Sequence, residues 1–312
     1  MSDDPGSSGL LRDFVRAGFS AAGVPGGVVQ VVDSAGVVDA VSVGDLTAEW
    51  PVMLGSTSKS LTALGLLCAV EDGALSLDSA VRRWLPEVDL PADVTVGDLA
   101  HHCSGLTTDS TPGHHHHGSD RRFRYANQNY NLLGEVIAIA TGVPFDQWMA
   151  RRVFEPFGLT HTFCAGHERD GEVAPGHVGV FGRFARARLG HYGSNEWIQP
   201  ASGAICSSAA DAGRVLRLLL NDGAVDGVRV LSQNSIRTML HDTVATHSSP
   251  AVDGPLGPNG DYGFGWVRKD LDGEDVFVHV GKVPAHTSVF ALMPGRGLGM
   301  VLVANAGDFL VA

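Results

Sequence analysis

The hydrophobic positions predict β-strands near both ends of the chain. Between residues 9 and 22, apolar side chains recur at helical spacing, which predicts an amphipathic helix. Two valine-rich runs follow, Gly27–Asp33 and Val37–Val43, and the short turn between them contains a glycine. This combination is typical of a β-hairpin, so we expect a sheet to begin here.

The segment Ser56–Val70 is apolar almost all the way round. A helix without a polar face is usually buried, so this segment predicts a core helix. Ser208 and Asp211 resemble a capping box at the start of a later helix. The clearest helical patterns in the middle of the chain are Asn131–Ala140, Phe145–Val153 and Ala209–Leu220.

Strand patterns return near the C-terminus, in Asp275–Val280, Thr287–Met293 and Gly299–Ala304. We therefore predict an α+β fold in which an antiparallel sheet is flanked by helices and carries an inserted, mostly helical domain. In this prediction, residues 1–85 and 235–312 form the α/β domain with the sheet, and residues 86–234 form the insertion. Ligand sites often lie between domains, so we expect the functional site at this junction.

Composition and charge narrow the class of protein. The 312 residues are 44% hydrophobic, which is enough for a substantial core. The net charge of −12 and the lack of a basic run argue against nucleic acid or an anionic membrane surface as the main partner. No secretory signal and no membrane-spanning run of about 18 apolar residues is evident, so the sequence predicts a cytoplasmic protein. The four cysteines form no Cys-x-x-Cys pair and are expected to be buried free thiols.

One of the chain's three lysines closes the tetrapeptide Ser56–Lys59 at the head of the predicted core helix. Helical residues three apart lie about 5–6 Å apart on one face, so the amine of Lys59 can reach the hydroxyl of Ser56. A desolvated lysine can lose its proton near neutral pH, and serine is a weak nucleophile without an adjacent base. By itself, the motif is also consistent with a helix-capping serine and a solvated lysine.

The tripeptide Tyr125–Asn127 precedes another predicted helix. A tyrosine whose phenolate is stabilised by Lys59 can shuttle a proton between nucleophile and leaving group. Asn127 can orient Lys59 or a substrate amide. The alternative is a core tyrosine and an asparagine that caps the helix.

A His-x-Gly pattern occurs four times, and position selects one copy, His279–Gly281, because it lies in an alternating strand pattern. A glycine on an edge strand lets a substrate approach closely, and the next residue, Lys282, could then offer its backbone N–H. With the N–H of Ser56, this donor would form an oxyanion hole. The remaining copies, in loop-like sequence, begin at His116, His177 and His191.

In this order, the Ser-x-x-Lys, Tyr-x-Asn and His-x-Gly motifs resemble those of the serine β-lactamase and penicillin-binding-protein superfamily. The chain looks most like the class C-like branch, which holds DD-peptidases, D-amino-acid peptidases, family VIII carboxylesterases and transacylases. The resemblance covers nearly the whole chain. Further segments similar to those of the family are His102–Leu106, Glu155–Leu159 and Ala201–Asp211.

The resemblance implies that Ser56 is the acylated nucleophile, Lys59 its base or partner, and Tyr125 the proton shuttle. The implied reaction is a two-step acyl transfer, in which an acyl-serine forms and is then attacked by water or another nucleophile. No metal or organic cofactor is required. The residues expected to shape the site and bind substrate are Asn127, His279, Gly281 and Lys282.

A departure from the motif of the β-lactamases bears on the substrate. Dedicated β-lactamases carry Lys-Thr-Gly where this chain has His279–Gly281, and a neutral histidine lacks the fixed cation that binds a β-lactam carboxylate. We therefore expect at most weak β-lactamase activity.

The run His114–His117 could bind a divalent ion, but such a run on a glycine-flanked loop is more often solvated, so we assign no metal site.

The leading hypothesis is a serine hydrolase that acts on an ester or small amide through acyl-Ser56. The alternative is an intracellular biosynthetic transacylase that passes the acyl group to an amine or alcohol. A remote alternative is a non-catalytic binding protein that kept the fold. The expected partner is a small molecule, with no nucleic acid and no membrane, and the sequence has no signal for an oligomeric state.

Overall fold

The computed structural model describes residues 5–107, 121–166, 168–180, 183–187, 199–247, 249, 252 and 260–307. The α-helices in these residues are α1 (Pro5–Ala21), α2 (Ser58–Glu71), α3 (Val96–Ala100), α4 (Asn127–Thr141), α5 (Phe145–Met149), α6 (Ala209–Leu220) and α7 (Gln233–His241). The strands are β1 (Gly26–Asp33), β2 (Val37–Gly44), β3 (Val52–Met53), β4 (Phe163–Cys164), β5 (Gly176–Val180), β6 (Arg183–Ala187), β7 (Ile205–Ser207), β8 (Ala224–Val225), β9 (Val228–Arg229), β10 (Val244–Ala245), β11 (Asp261–Tyr262), β12 (Val267–Leu271), β13 (Glu274–Val283), β14 (His286–Met293) and β15 (Leu298–Ala304).

An eight-stranded sheet brings the two ends of the chain together. Its strand order is β10-β11-β12-β13-β14-β15-β1-β2, and every neighbouring pair is antiparallel. Strand β15 pairs with β1 in a register that places Gly27 opposite Ala304 and Asp33 opposite Leu298. The predicted antiparallel sheet, built from strands near both ends of the sequence, is therefore confirmed.

Helices pack on both faces of this sheet. On β1, Val28 and Val32 belong to the main core with α2 and α6, whereas Val29 joins a second cluster with Val15 and Phe19 of α1. Because β1 is covered on both sides, it is almost entirely buried, while much of the edge strand β2 is exposed. Full burial of a valine contributes roughly 1.5–3 kcal/mol, so the two faces together hold the helices against the sheet.

Helix α2 is buried along nearly its whole length. Every residue in the range Ser58–Ala69 is buried, and the helix packs against α4 and α5. Trp148 of α5 donates its indole N–H to the Gly65 carbonyl at 3.0 Å. The predicted core helix is therefore present, but its α-helical part begins after Ser56, which lies in a preceding 3₁₀ turn, Gly55–Thr57.

The middle of the chain contains strands that the sequence patterns did not predict. Helices α4, α5 and α6 lie near the predicted places, but β4 and β7 join β3 in a three-stranded sheet. Elements of two or three residues are too short to show a periodic pattern, so local sequence does not reveal them. The pairing of β3 with β7 connects the first segment to the proposed insertion, whose limits at residues 86 and 234 remain a prediction.

Strand β5 corrects one expectation about the His-x-Gly copies. His177–Gly179 lies in β5, which pairs with β6, and not in a loop. From its second residue onward the strand is at most half-buried, so no apolar alternation marks it. Backbone hydrogen bonds from His177 N to the Ala285 carbonyl and from Gly307 N to the His177 carbonyl hold it beside the main sheet. Two of the other copies lie outside the described residues.

The start of α6 also differs from expectation. The Ser208 hydroxyl accepts a hydrogen bond from Asp211 N at 3.1 Å, as an N-cap should. The Asp211 carboxylate does not complete a capping box, because it accepts hydrogen bonds from His161 N at 2.7 Å and from Thr162 Oγ1 at 2.8 Å. The predicted cap is therefore present, but the reciprocal half of the box is wrong.

Two predictions about the whole chain concern thiols and membranes. All four cysteines are buried and free, as predicted. In the part of the chain that the structure describes, no helix is both long enough and apolar enough to cross a membrane.

Candidate active site

Ser56 lies in a firmly held turn beside the main sheet. The turn is Gly55–Thr57, and Ser56 is half-buried while its two neighbours are buried. Ser288 of β14 donates a hydrogen bond to the Leu54 carbonyl at 2.6 Å, and its Oγ lies 2.7 Å from Thr57 Oγ1. These contacts tie the turn to the sheet, so the backbone that carries Ser56 is held in place against β14.

The amine of Lys59 lies at the centre of the site. Lys59 is fully buried, and its Nζ lies 3.3 Å from Ser56 Oγ, 2.8 Å from Asn127 Oδ1 and 2.7 Å from the carbonyl oxygen of Ser202. None of these partners is a carboxylate, and Lys59 forms no ion pair with the described residues. Burial therefore lowers the pKa of Lys59 well below its usual value.

The contacts of Nζ suit a neutral amine that acts as a base. A neutral amine has two N–H donors and one lone pair, whereas the ammonium has three donors. The oxygens of Asn127 and Ser202 can only accept, so they take the two N–H groups. The lone pair is then left for the proton of Ser56 Oγ.

Tyr125 lies against the same amine. The centroid of its ring is 4.8 Å from Lys59 Nζ, and its buried hydroxyl makes no well-formed hydrogen bond with the described residues. Burial raises the pKa of Tyr125 well above its usual value, and the nearby Ser56 hydroxyl opposes this rise. The site therefore favours the neutral phenol, in contrast to the phenolate expected from the sequence, because burial disfavours the charged form.

Asn127 is the first residue of α4 and directs its side-chain oxygen at Lys59. The helix begins four residues earlier than Asn131, where the hydrophobic pattern placed its start. The added turn contains Gln128 and Asn129, which are polar but buried, and so it lacks the apolar signal of a buried helix face.

His279 lies in β13, near the point where β12 stops pairing with it. The β12–β13 pairing ends at Val278, so β13 is an interior strand whose last residues have β14 on one side and no β12 partner on the other. The expectation of an edge strand therefore holds for this end of β13 only. Burial lowers the pKa of His279 to about 3, so its ring is neutral. Its Nε2 lies 3.2 Å from the Tyr262 hydroxyl.

The residues after His279 run directly beside the turn that carries Ser56. A Cβ on Gly281 would lie 1.9 Å from the Leu54 carbonyl oxygen, so no larger residue fits there without movement. A Cβ on Gly55 would lie 2.6 Å from the backbone nitrogen of Lys282. The side chain of Lys282 is exposed. The structure thus brings all seven residues named from the sequence to one place.

Three further residues belong to this site and were not named as site residues from the sequence. Ser202 contributes its carbonyl oxygen, Tyr262 contacts His279, and the ring centroid of His102 lies 4.5 Å from that of Tyr125. Ser202 and His102 stand in segments that carry the family resemblance, which was an available signal. Tyr262 stands in the two-residue strand β11, and no pattern marks it.

No metal site emerges among the residues that the structure describes. Within them, no group of three or more histidine, cysteine, aspartate or glutamate side chains could hold an ion. The run His114–His117 lies outside the described residues.

Comparison with known proteins gives a match along almost the entire chain. The protein family described as Beta-lactamase matches residues 11–310. Penicillin-binding protein 4 of Amycolatopsis lactamdurans is 28% identical over 291 residues, which cover 81% of this chain and 71% of that protein. Several further curated relatives also match 81% of this chain, but the chain spans about half of their length, 52%.

Two solved structures are similar to this fold. The D-amino acid amidase of Ochrobactrum anthropi SV3, complexed with D-phenylalanine, has a TM-score of 0.76 at 24% identity, over 97% of this chain and 92% of that one. A class C β-lactamase has a TM-score of 0.79 at 16% identity, over 98% of this chain and 93% of that one. At such identities the likeness shows the fold, and it confirms the predicted fold class.

Proposed function

The chain belongs to the Beta-lactamase family, which its motifs resembled, and we propose that it is a serine hydrolase acting on an ester or a small amide through acyl-Ser56. The observation that carries this proposal is the 3.3 Å contact between Lys59 Nζ and Ser56 Oγ, made by a buried amine whose pKa is lowered. An adjacent base of this kind is what a serine nucleophile requires.

Acylation begins with Lys59 as the base. The neutral amine takes the proton of Ser56 Oγ while that oxygen attacks the substrate carbonyl carbon, which forms a C–O bond and a tetrahedral oxyanion. The backbone N–H groups of Ser56 and Lys282 are the proposed oxyanion hole. The closeness of Gly55 to the Lys282 nitrogen supports this pairing, because it brings the two backbone segments side by side.

Tyr125 completes the first step. Its neutral phenol gives a proton to the departing alcohol or amine as the C–O or C–N bond breaks, and the ammonium of Lys59 returns a proton to Tyr125. Its hydroxyl suits this role because it is buried without a well-formed hydrogen bond in the described residues. Deacylation runs in the reverse sense, with water in place of the leaving group, and it releases the acid and restores Ser56.

The substrate preference follows from His279. Its pKa of about 3 keeps the ring neutral at any physiological pH, so it supplies no cation for a β-lactam carboxylate. An ester or small amide does not need that cation. The structural likeness to an amidase is consistent with such a substrate. We therefore expect weak β-lactamase activity at most.

Intact-mass measurement tests the proposal. Wild-type protein exposed to an activated ester or to a penicillin should gain the mass of one acyl group, and peptide mapping should locate it on Ser56. Ser56→Ala should gain none, while Ser34→Ala, which changes an exposed turn serine, should behave as wild type. An unmodified wild type would refute acyl-Ser56 and favour a non-catalytic binding protein, and an equal adduct on Ser56→Ala would refute it by placing the acyl group on another residue.

Product analysis separates hydrolysis from acyl transfer. The acyl-enzyme is common to both, so the acceptor decides between them. We expect the free acid to form at the same rate with and without added amines or alcohols. Replacement of the free acid by an amide or ester of the added acceptor would identify a transacylase instead.

A further inference from the structure

His102 is held in an unusual backbone conformation beside the site. It follows α3, is completely buried and has a φ of 56°. This left-handed region favours glycine, and an ordinary side chain there is strained. A strained residue that is also fully buried calls for a reason to keep its side chain.

Backbone N–H groups on both sides of Tyr125 donate hydrogen bonds to His102. The His102 carbonyl accepts from Arg124 N at 2.9 Å, and its ring nitrogen Nδ1 accepts from Ala126 N at 3.3 Å. The residues before and after Tyr125 are therefore both bonded to this one histidine. Asn127, which contacts Lys59, follows directly.

The ring of His102 has a defined tautomer. Its Nδ1 also lies 3.2 Å from Asn129 Nδ2, and the Ser104 hydroxyl donates to Asn129 Oδ1 at 2.5 Å. The Asn129 amide therefore turns its NH₂ group to the ring, so Nδ1 accepts twice and the proton is on Nε2. That Nε2 is buried without a partner among the described residues.

The same ring packs directly on the tyrosines of the site. Its centroid lies 4.5 Å from that of Tyr125 and 4.9 Å from that of Tyr262, which contacts His279. Burial lowers the pKa of His102 well below its usual value. The neutral ring thus supports Tyr125 without placing a positive charge beside Lys59.

We propose that His102 is a positioning residue that holds Tyr125 in place for proton transfer, through hydrogen bonds on both sides of it and a ring contact. This inference rests on the proposed acyl-Ser56 chemistry and assigns a role to a residue outside the three motifs. It acts through Tyr125 and does not touch the reacting atoms.

His102→Asn is the variant that tests it. Asparagine tolerates the left-handed conformation, and its side-chain oxygen can replace Nδ1 as the acceptor for Ala126 N, so the fold should survive. The contact of the ring with Tyr125 is lost. We expect the acylation rate constant to fall about tenfold to a hundredfold, with a smaller change in KM, as for a misplaced reacting group. His101→Asn is the matched control and should acylate as wild type does.

A double-mutant cycle with Tyr125→Phe separates positioning from general damage. If His102 acts through the Tyr125 hydroxyl, His102→Asn should slow the Tyr125→Phe variant by less than about threefold. The proposal would be overturned if the fold-reductions in acylation rate of the two single variants multiplied in the double variant. It would also be overturned if His102→Asn acylated as fast as wild type. In both cases the wild-type protein would still be acylated on Ser56, which distinguishes this failure from failure of the proposed function.

Two measurements do not depend on activity. Nitrogen NMR of histidine-labelled wild type should show the His102 ring protonated on Nε2 and not on Nδ1. A crystal structure of His102→Asn should show the Tyr125 ring shifted or disordered. Protonation on Nδ1, or an unmoved Tyr125 ring in the variant, would contradict the inference even if no substrate were found.

Discussion

Two buried polar clusters in this molecule differ in how completely their groups are paired. The Asp211 cluster consists of Thr162, Ser207, Ser208 and Asp211. Its carboxylate accepts from Thr162 and from a backbone N–H, Ser208 caps α6, and the hydroxyls of Thr162 and Ser207 lie 2.7 Å apart. The Ser56 cluster consists of Ser56, Lys59, Tyr125 and Asn127.

The Ser56 cluster contains a buried amine without a carboxylate and a buried phenol without a well-formed hydrogen bond in the described residues. A buried polar group that lacks a partner costs stability, so it is kept where its reactivity is used. The hydrogen bonds of the Asp211 cluster stabilise the fold, because they hold the start of α6 against the backbone at His161 and Thr162. Of these two clusters, the one whose carboxylate and hydroxyls are paired supports the fold, and the one with a desolvated amine and an unpaired phenol lies at the proposed site of chemistry.

The largest effect should come from Lys59→Met. Loss of a general base typically costs 10²–10⁴-fold, so we expect acylation by an activated ester to slow about a thousandfold. The free energy of unfolding should change little, because removal of a desolvated amine offsets the loss of the hydrogen bonds to Asn127 Oδ1 and the Ser202 carbonyl oxygen. Stopped-flow acylation and urea unfolding measure the two quantities. A variant that acylates normally, or that unfolds far more readily, would remove the distinction between the clusters.

Gly281→Ala should damage activity and stability together, because it breaks the contact between β13 and the Ser56 turn. The new methyl group would meet the Leu54 carbonyl oxygen, and displacement of the turn by about 1 Å should slow acylation roughly a hundredfold. Overpacking of this kind typically costs about 1–3 kcal/mol. Gly295→Ala, where the added carbon meets nothing within 4 Å, is the control. Equal behaviour of the two variants would show that the contact is unimportant.

Asp211→Ala should have the opposite profile to Lys59→Met. It leaves His161 N and the Thr162 hydroxyl without their acceptor, so the free energy of unfolding should fall by about 1–3 kcal/mol. The rate of acylation should be unchanged. Denaturant unfolding and the ester assay on the same preparation check both statements. A variant that acylates more slowly but unfolds like wild type would show that Asp211 contributes to catalysis and not to stability.

The effect that is smallest near neutral pH, and grows as the pH falls, is a dependence of stability on pH. Burial lowers the pKa of His279 to about 3 and that of His286 to about 4, whereas unfolded histidine titrates near 6.5. In this range the unfolded chain binds protons at these histidines and the folded protein does not. The free energy of unfolding therefore falls as pH drops from about 6.5 toward 4. Each histidine contributes up to about 1.4 kcal/mol per pH unit in this window.

Unfolding of His279→Gln at a series of pH values provides the measurement. The slope of its unfolding free energy against pH should be shallower than that of wild type. Identical slopes would mean that the pKa of His279 is not lowered in the folded protein, so the ring could gain a proton and bind a β-lactam carboxylate at mildly acidic pH.

Local patterns were sufficient for much of the fold. The strands of the main sheet near β1 and β15, the buried helix α2 and the extent of α6 follow from hydrophobic spacing within each segment. Strands β4, β5 and β7 did not follow, because two are very short and the third has no buried face. Their pairing depends on distant backbone partners, which a local pattern does not contain.

By itself, the sequence determined the fold class and the family, and it made a contact between Ser56 and Lys59 possible, since residues three apart lie on one face of a helical turn. The tertiary structure alone decided the environment of that pair. Asn127 and Ser202 lie 68 and 143 residues from Lys59, and His102 reaches the site through its contacts with Tyr125. Burial among such distant groups is what lowers the pKa of Lys59 and keeps Tyr125 neutral, and burial is a property of packing that no short motif encodes.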